Sequence, residues 1–171
     1  VRGPRSVIDH WRPLMPRTAS VVHPTRSRSR PGGPSGPAPR GYRLALGLAL
    51  AAGAGLVAGS AGIHLHLWLI GYRRIPTIGP LFLLQAVTGF ALATALLLWR
   101  RLLVVVGAAG FQLATAVGFL LSANVGLFGF HDSLAAPLAV PALAVEVAGL
   151  AVLAAAGSLL AWRSPPALRW R

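Results

Sequence analysis

The sequence predicts an all-α polytopic membrane protein, with four transmembrane helices in an antiparallel bundle. Three observations carry the prediction. The chain of 171 residues is 55% hydrophobic, with a mean hydropathy of +0.66. It holds only three acids, and 11% of its residues are charged, against about 25% in ordinary soluble domains. Four apolar segments each reach the ~20 residues that a helix needs to cross a ~30 Å hydrocarbon core. The absence of cysteine excludes thiol and disulfide chemistry, iron–sulfur clusters and cysteine-type zinc sites.

Residues 1–40 stand apart from this body. They carry eight of the 16 arginines and eight of the 14 prolines, including the tract Arg26-Ser27-Arg28-Ser29-Arg30-Pro31. Such a segment cannot bury enough apolar surface to offset chain entropy, so it is expected to be a disordered cytoplasmic tail. The net charge of +13 is therefore no nucleic-acid signature, since it does not cover a folded surface; anionic lipid is the expected partner of the tail. The chain opens on Val1 and its one methionine is Met15. Either a GTG start codon has been translated literally as Val1, or the start is misassigned upstream and Met15 is the true beginning; no expectation rests on residues 1–14.

The transmembrane domain is expected over residues 41–163, with a short basic tail at 164–171. The first span runs from about 44 to 70, longer than a crossing requires, so that His64-Leu65-His66-Leu67-Trp68 falls in the headgroup zone or in a tilted extension. Reading Leu44–Ala58 as a signal peptide is the weaker alternative, because the apolar run and the basic tail before it are both long for one. Ile75-Pro76-Thr77-Ile78-Gly79-Pro80 breaks the helix, and Pro80 suits the first position of the second span, about 80–99. Arg100-Arg101 alone separates it from the third, about 102–123. Residues 124–133 form the next loop, where Asp132 or Ser133 is available to cap the fourth span, about 137–162.

Arginine placement sets the orientation, because positive charge near span ends is retained in the cytoplasm. With both termini and the Arg100-Arg101 turn on one side, that side holds fourteen arginines and the other only Arg73 and Arg74. The expected location is the cell (cytoplasmic) membrane with both termini inside. Small residues are expected to pack the helices, since lipid removes the hydrophobic drive to association. Gly47, Ala51, Gly55 and Gly59 recur every four residues on the first span, and Gly110, Ala114, Gly118 and Ser122 on the third. These spans are the expected closest contact, within one chain or across a homo-oligomer or another membrane partner.

Polar residues gather in the outer half. Glu146 is the sharpest, since a carboxyl in lipid is either neutral or paired. Its expected partners are Gln112, Gln85 or His64, with Pro141 kinking the helix nearby. Together these four form a candidate intramembrane polar site. Tyr72, Arg73, Arg74, His131 and Asp132 form a candidate outer-face site for an anion or for mutual pairing. His64 and His66 point about 200° apart on a helix and cannot share an ion, so neither a metal nor another cofactor is expected. No phosphate loop, nucleophile elbow, zinc-protease helix or nucleotide fingerprint occurs. The composition fits an accessory or interaction protein of the envelope better than an enzyme. The alternatives are a small transporter or proton-coupled channel using Glu146 and, third, a haem or quinone subunit.

The strings Ala61-Gly62-Ile63-His64-Leu65, Gly71-Tyr72, Ile75-Pro76-Thr77-Ile78-Gly79, Leu81-Phe82-Leu83-Leu84 and Val125-Gly126-Leu127-Phe128-Gly129-Phe130 resemble the small four-span integral membrane proteins of unknown function of high-GC actinobacteria. The resemblance covers about residues 44–162 and implies a bacterial multi-pass protein. It transfers no catalytic residues.

The threading is open to direct measurement. Reporter fusions after Arg101 and at the C-terminus are expected to be active only as cytoplasmic reporters, and those within residues 71–77 or 124–133 only as external ones. An external C-terminus would overturn the four-span arrangement.

Overall fold

The computed structural model describes residues 38–163. The two tails assigned from the sequence, with the lipid contact expected of the first, lie outside the described residues apart from Ala38–Arg40. Four helices follow one another: α1 (Arg40–Ile70), α2 (Ile78–Leu98), α3 (Leu102–Asn124) and α4 (Ala139–Arg163). All four are long and apolar enough to cross a membrane. Helices suit such segments because every backbone N–H and C=O is paired within the segment itself. At 31 residues, α1 is about 46 Å long at 1.5 Å per residue, and it continues unbroken through both of its histidines.

The connections correct several expectations. α2 begins at Ile78, after Thr77 at φ 65, so Pro80 stands third in the helix. Its missing N–H still costs nothing there, because first-turn donors have no intrahelical acceptor. Pro141 is likewise third in α4; it removes no ladder bond and does not break the helix beside Glu146. Asp132 and Ser133 cap a turn well before α4: the Ser133 N–H donates to Asp132 Oδ1 (2.8 Å) and the Ala135 N–H to Ser133 Oγ (3.1 Å). Between α3 and that turn, Leu127 and Phe130 exchange two backbone hydrogen bonds of 2.8 Å. Phe128 (φ 53) and Gly129 (φ 78) stand between them, the type I′ geometry of a two-residue hairpin.

α1 packs along α2 and α4, and α3 along α4 and more lightly along α2. The helices thus stand in a ring, with α1 and α3 across a diagonal. The expected small-residue seam between those two is not how this chain packs: an added Cβ would meet nothing within 4 Å at Gly47, Gly55, Gly110 or Gly118, and at Gly59 only Val145 Cγ1, at 3.7 Å. Ala51 and Ala114 are exposed. The close approaches lie at other glycines. A Cβ on Gly53 of α1 would lie 2.8 Å from Leu153 Cδ2 of α4, and one on Gly89 of α2 would lie 2.8 Å from Ala61 Cβ of α1. On α4, Gly149 faces the Gln112 side chain of α3. Three of the four ring contacts therefore each have a glycine where an added Cβ would clash with the neighbouring helix.

The bundle's two halves differ in content. Leu46, Leu50, Ala54 and Val57 meet Ala93, Leu96, Val105, Ala108, Leu153 and Ala156 in one continuous apolar cluster. By chain position this fills the half that ends in the α2–α3 connection. Among the described residues, every buried polar side chain, namely Ser60, His64, Gln112, Ser122 and Glu146, belongs to the middle or to the other half.

The glycine contacts predict a graded response. Gly89→Ala should destabilise by about 1–3 kcal/mol, the usual cost of overpacking, since Ala61 Cβ cannot yield without moving backbone. Gly53→Ala should cost less, because Leu153 can rotate away. Gly47→Ala, Gly55→Ala and Gly110→Ala should be neutral or stabilise by up to ~1 kcal/mol through helix propensity. Thermal unfolding in mild detergent reads the order, and a loss at Gly55 would mean that a second chain covers that face.

Candidate functional site

Glu146 is the eighth residue of α4, about 10 Å along the helix from its start, and its side chain is 2% exposed. Its hydrogen-bond partner is none of those expected from the sequence. Ser60 of α1, fully buried, donates its Oγ to Glu146 Oε1 at 3.4 Å, and the Thr115 hydroxyl of α3 also lies beside the carboxyl, while Glu146 Oε2 accepts no well-formed hydrogen bond. The Ser60 carbonyl also accepts from His64 Nδ1 at 2.8 Å. A carbonyl can only accept, so Nδ1 carries the hydrogen and Nε2 is the acceptor of the neutral ring. One serine thus joins the histidine and the carboxyl through a shared residue.

Gln112, also expected beside Glu146, is fully buried but turns to the α4 backbone. Its Nε2 donates to the Val145 carbonyl at 3.4 Å, and its Oε1 has no partner. Gln85 does line the same space as Glu146. That space is a cavity of about 140 Å³ between all four helices, whose polar lining is His64, Tyr72, Gln85, Thr115, Asp132 and Glu146, with Ser122 beneath the hairpin. Gly118 also lines it, with open space where a Cβ would stand. The walls are apolar, from Leu67, Phe82, Phe119, Phe130 and Leu138.

Aromatic rings bind the cavity's rim together. His64 lies against Phe82 (centroids 5.1 Å), Phe82 stacks on Tyr72 (4.9 Å, 25° between planes), and Tyr72 meets Phe130 edge-on (5.8 Å, 69°). The chain runs from α1 through α2 and the 3-10 turn Tyr72–Arg74 to the hairpin. Two hydrogen bonds seat the hairpin on the end of α3. Ser122 Oγ donates to the Phe130 carbonyl (3.3 Å), and the Asp132 N–H donates to the Ser122 carbonyl (3.3 Å). Ser122, expected as a packing residue, is in fact the anchor that brings Phe130 and Asp132 to the rim. Gly79 is required on the opposite side, where a Cβ would stand 2.7 Å from the Arg73 carbonyl oxygen.

The candidate outer-face site divides. Tyr72 and Asp132 line the cavity; Arg73, Arg74 and His131 are exposed and outside its lining. No ion pair joins the arginines to Asp132 among the described residues, so the expected pairing does not form. The His131 ring covers Gly126, whose φ of +80 suits glycine alone. His66 is exposed, on the other face of α1 from His64, as their spacing requires. No three metal-ligating side chains come together among the described residues. A shallow groove between α3 and α4 in the apolar half contains only Ser158 as a polar residue.

Ser60, Thr115 and the ring of Phe82 and Phe130 are site members that sequence reading missed. Ser60 had one usable signal: it stands four residues before His64, on the same helical face. Comparison of the chain with known protein families, with curated proteins and with solved structures finds no match.

Tyr72 supplies a measurable reporter of the rim. Burial pushes its phenol above the ordinary range, and the nearby Asp132 charge adds to the effect. A raised phenol stabilises the folded form up to the ordinary titration range, near pH ~10, and that contribution is lost as pH rises through the higher folded value. The chain has two tyrosines, so a Tyr42→Phe background isolates Tyr72 in an ultraviolet titration. Its midpoint should lie above the usual value, and Asp132→Asn should bring it only part of the way back, because burial is the larger cause.

Proposed function

We propose that this chain is a multi-pass accessory protein of the cell envelope, which works by holding a small ligand between its helices rather than by catalysis. One observation carries the reading: a polar cavity with an unpartnered buried carboxyl oxygen occupies one half of the bundle, and a continuous apolar cluster fills the other. Polar groups are costly to bury without partners, and a pocket with a few convergent polar groups in apolar walls has the usual character of a ligand site. The apolar cluster disfavours conduction, since it offers an ion no polar path to the α2–α3 end. The arginine distribution supports an outward-facing cavity with both termini in the cytoplasm. Membership of the actinobacterial four-span proteins belongs to the same proposal, supported by the strings that line this cavity, among them Tyr72, Phe82 and Phe130.

The transport reading rests on the same carboxyl and makes a different demand, namely a route past the apolar cluster. The natural absence of cysteine allows single substitutions to be probed with a membrane-impermeant thiol reagent. Cysteines at Gly118 and Asp132 should react from outside, while cysteines at Val57, Val105 and Ala108 should react from neither side. Labelling of the latter three from both sides would favour a transporter or channel. Protection of Gly118 and Asp132 from outside reagent would remove the outward-facing cavity.

A further inference from the structure

The cavity is one-sided in its chemistry. Its lining contains two carboxyl groups, Glu146 and Asp132, and no arginine. The buried oxygen of the lining without a hydrogen-bond partner is Glu146 Oε2, and in the neutral ring His64 Nε2 is an acceptor, since Nδ1 is the nitrogen that donates to the Ser60 carbonyl. Ser60 Oγ is already directed at Glu146 Oε1, Thr115 Oγ1 at the Gln112 carbonyl (2.9 Å) and Ser122 Oγ at the Phe130 carbonyl, so the donors left to a ligand are the uncharged Gln85 amide and Tyr72 hydroxyl. A complementary ligand therefore brings N–H donors and positive charge. The rest of it must be apolar and small, since a cavity of about 150 Å³ holds benzene and this one measures about 140 Å³.

We propose that the cavity binds a small primary organic ammonium ion, with its –NH3+ group against Glu146 and its apolar body between the aromatic rings of the rim. The proposal rests on the reading of this bundle as a ligand-binding protein and names the ligand's class. An ammonium group supplies three donors, and a buried carboxylate gains far more from a charged donor than from a neutral one. Asp132 gives the rim the same sign of charge as the interior. Anionic ligands meet two carboxyls and no paired arginine; Arg73 and Arg74 are exposed, where salt screens them. A metal ion is disfavoured because His64, Asp132 and Glu146, although all three line the cavity, do not converge on one point, and no three ligating side chains do so among the described residues.

The test uses the full chain in lipid nanodiscs, with benzylammonium, benzyl alcohol and benzoate as probes of one shape and three charges, and with empty discs subtracted. Benzylammonium should bind saturably, benzyl alcohol at least about tenfold more weakly, and benzoate not at all. Glu146→Gln should remove at least about tenfold of the ammonium affinity and leave that for the alcohol unchanged. Asp132→Asn should weaken the ammonium alone, and Gly118→Leu should abolish both by filling the cavity. Equal affinity of wild type for alcohol and ammonium, or an unchanged ammonium affinity in Glu146→Gln, would overturn the ligand class while leaving the cavity as a binding site. Absence of saturable binding by all three probes would overturn both this inference and the function proposed above. The wild-type comparison decides the matter even where a variant fails to insert.

Discussion

Close approach at glycine is the constraint on which this bundle depends. Lipid tails are as apolar as leucine, so burial of apolar side chains cannot by itself hold four helices together. What remains is a few interhelical hydrogen bonds, such as Ser60 to Glu146 and Gln112 to Val145, and dispersion between surfaces that fit, and fit requires a projection facing a depression. Leu153 over Gly53, Ala61 over Gly89 and Gln112 over Gly149 supply such pairs at three of the four ring contacts. With the helices fixed at these points, the apolar half closes completely: Val57, Leu96, Val105 and Leu153 are each at most 1% exposed. The other half cannot close in the same way, because Gly118 leaves space and the side chains facing inward are polar.

The polar half is organised by one residue more than by any other. Ser60 turns its hydroxyl to Glu146 and its carbonyl to His64, so one residue of α1 holds both the acid of α4 and the histidine of α1 beside the same cavity. The rim is held by rings and by the hairpin rather than by charge. Asp132 reaches it because a two-residue turn reverses the chain immediately after α3 and hangs on Ser122. An exposed loop of ten or so residues thereby becomes part of a wall.

The sequence made the spans legible because length and hydropathy suffice for them, with no knowledge of neighbours. It also exposed Glu146, His64, Gln85 and Asp132, which stand out against apolar surroundings. Ser60 was hidden by its company: serine between Gly59 and Ala61 looks like one more small residue. Within one chain, the glycine repeat on α1 does not mark the contact, for a related reason. A stripe at every fourth position defines a face but not what meets it, and the face that α1 buries carries Leu46, Leu50, Val57 and Leu67 around Gly53. Knobs and holes must be matched across two helices, which a single helix's spacing cannot report. Helix starts were missed by two residues at Ile78 and Ala139, since proline is tolerated anywhere in a first turn.

The division into a sealed half and an accessible half has an electrical consequence. Across a membrane, potential falls mainly where the medium is least polarisable. In this bundle that is the stretch filled by Leu46, Leu50, Leu96, Val105 and Leu153. If the cavity faces solution, as proposed above, the polar lining on the other side of Ser60 would let the field of that solution reach inward. A unit charge carried through a full 100 mV gains about 2.3 kcal/mol, but one brought as far as Glu146 crosses only the shallow part of that drop. Occupancy of the carboxyl's neighbourhood by a charged species would then be nearly indifferent to membrane voltage, although the residue is deep in the bundle by distance.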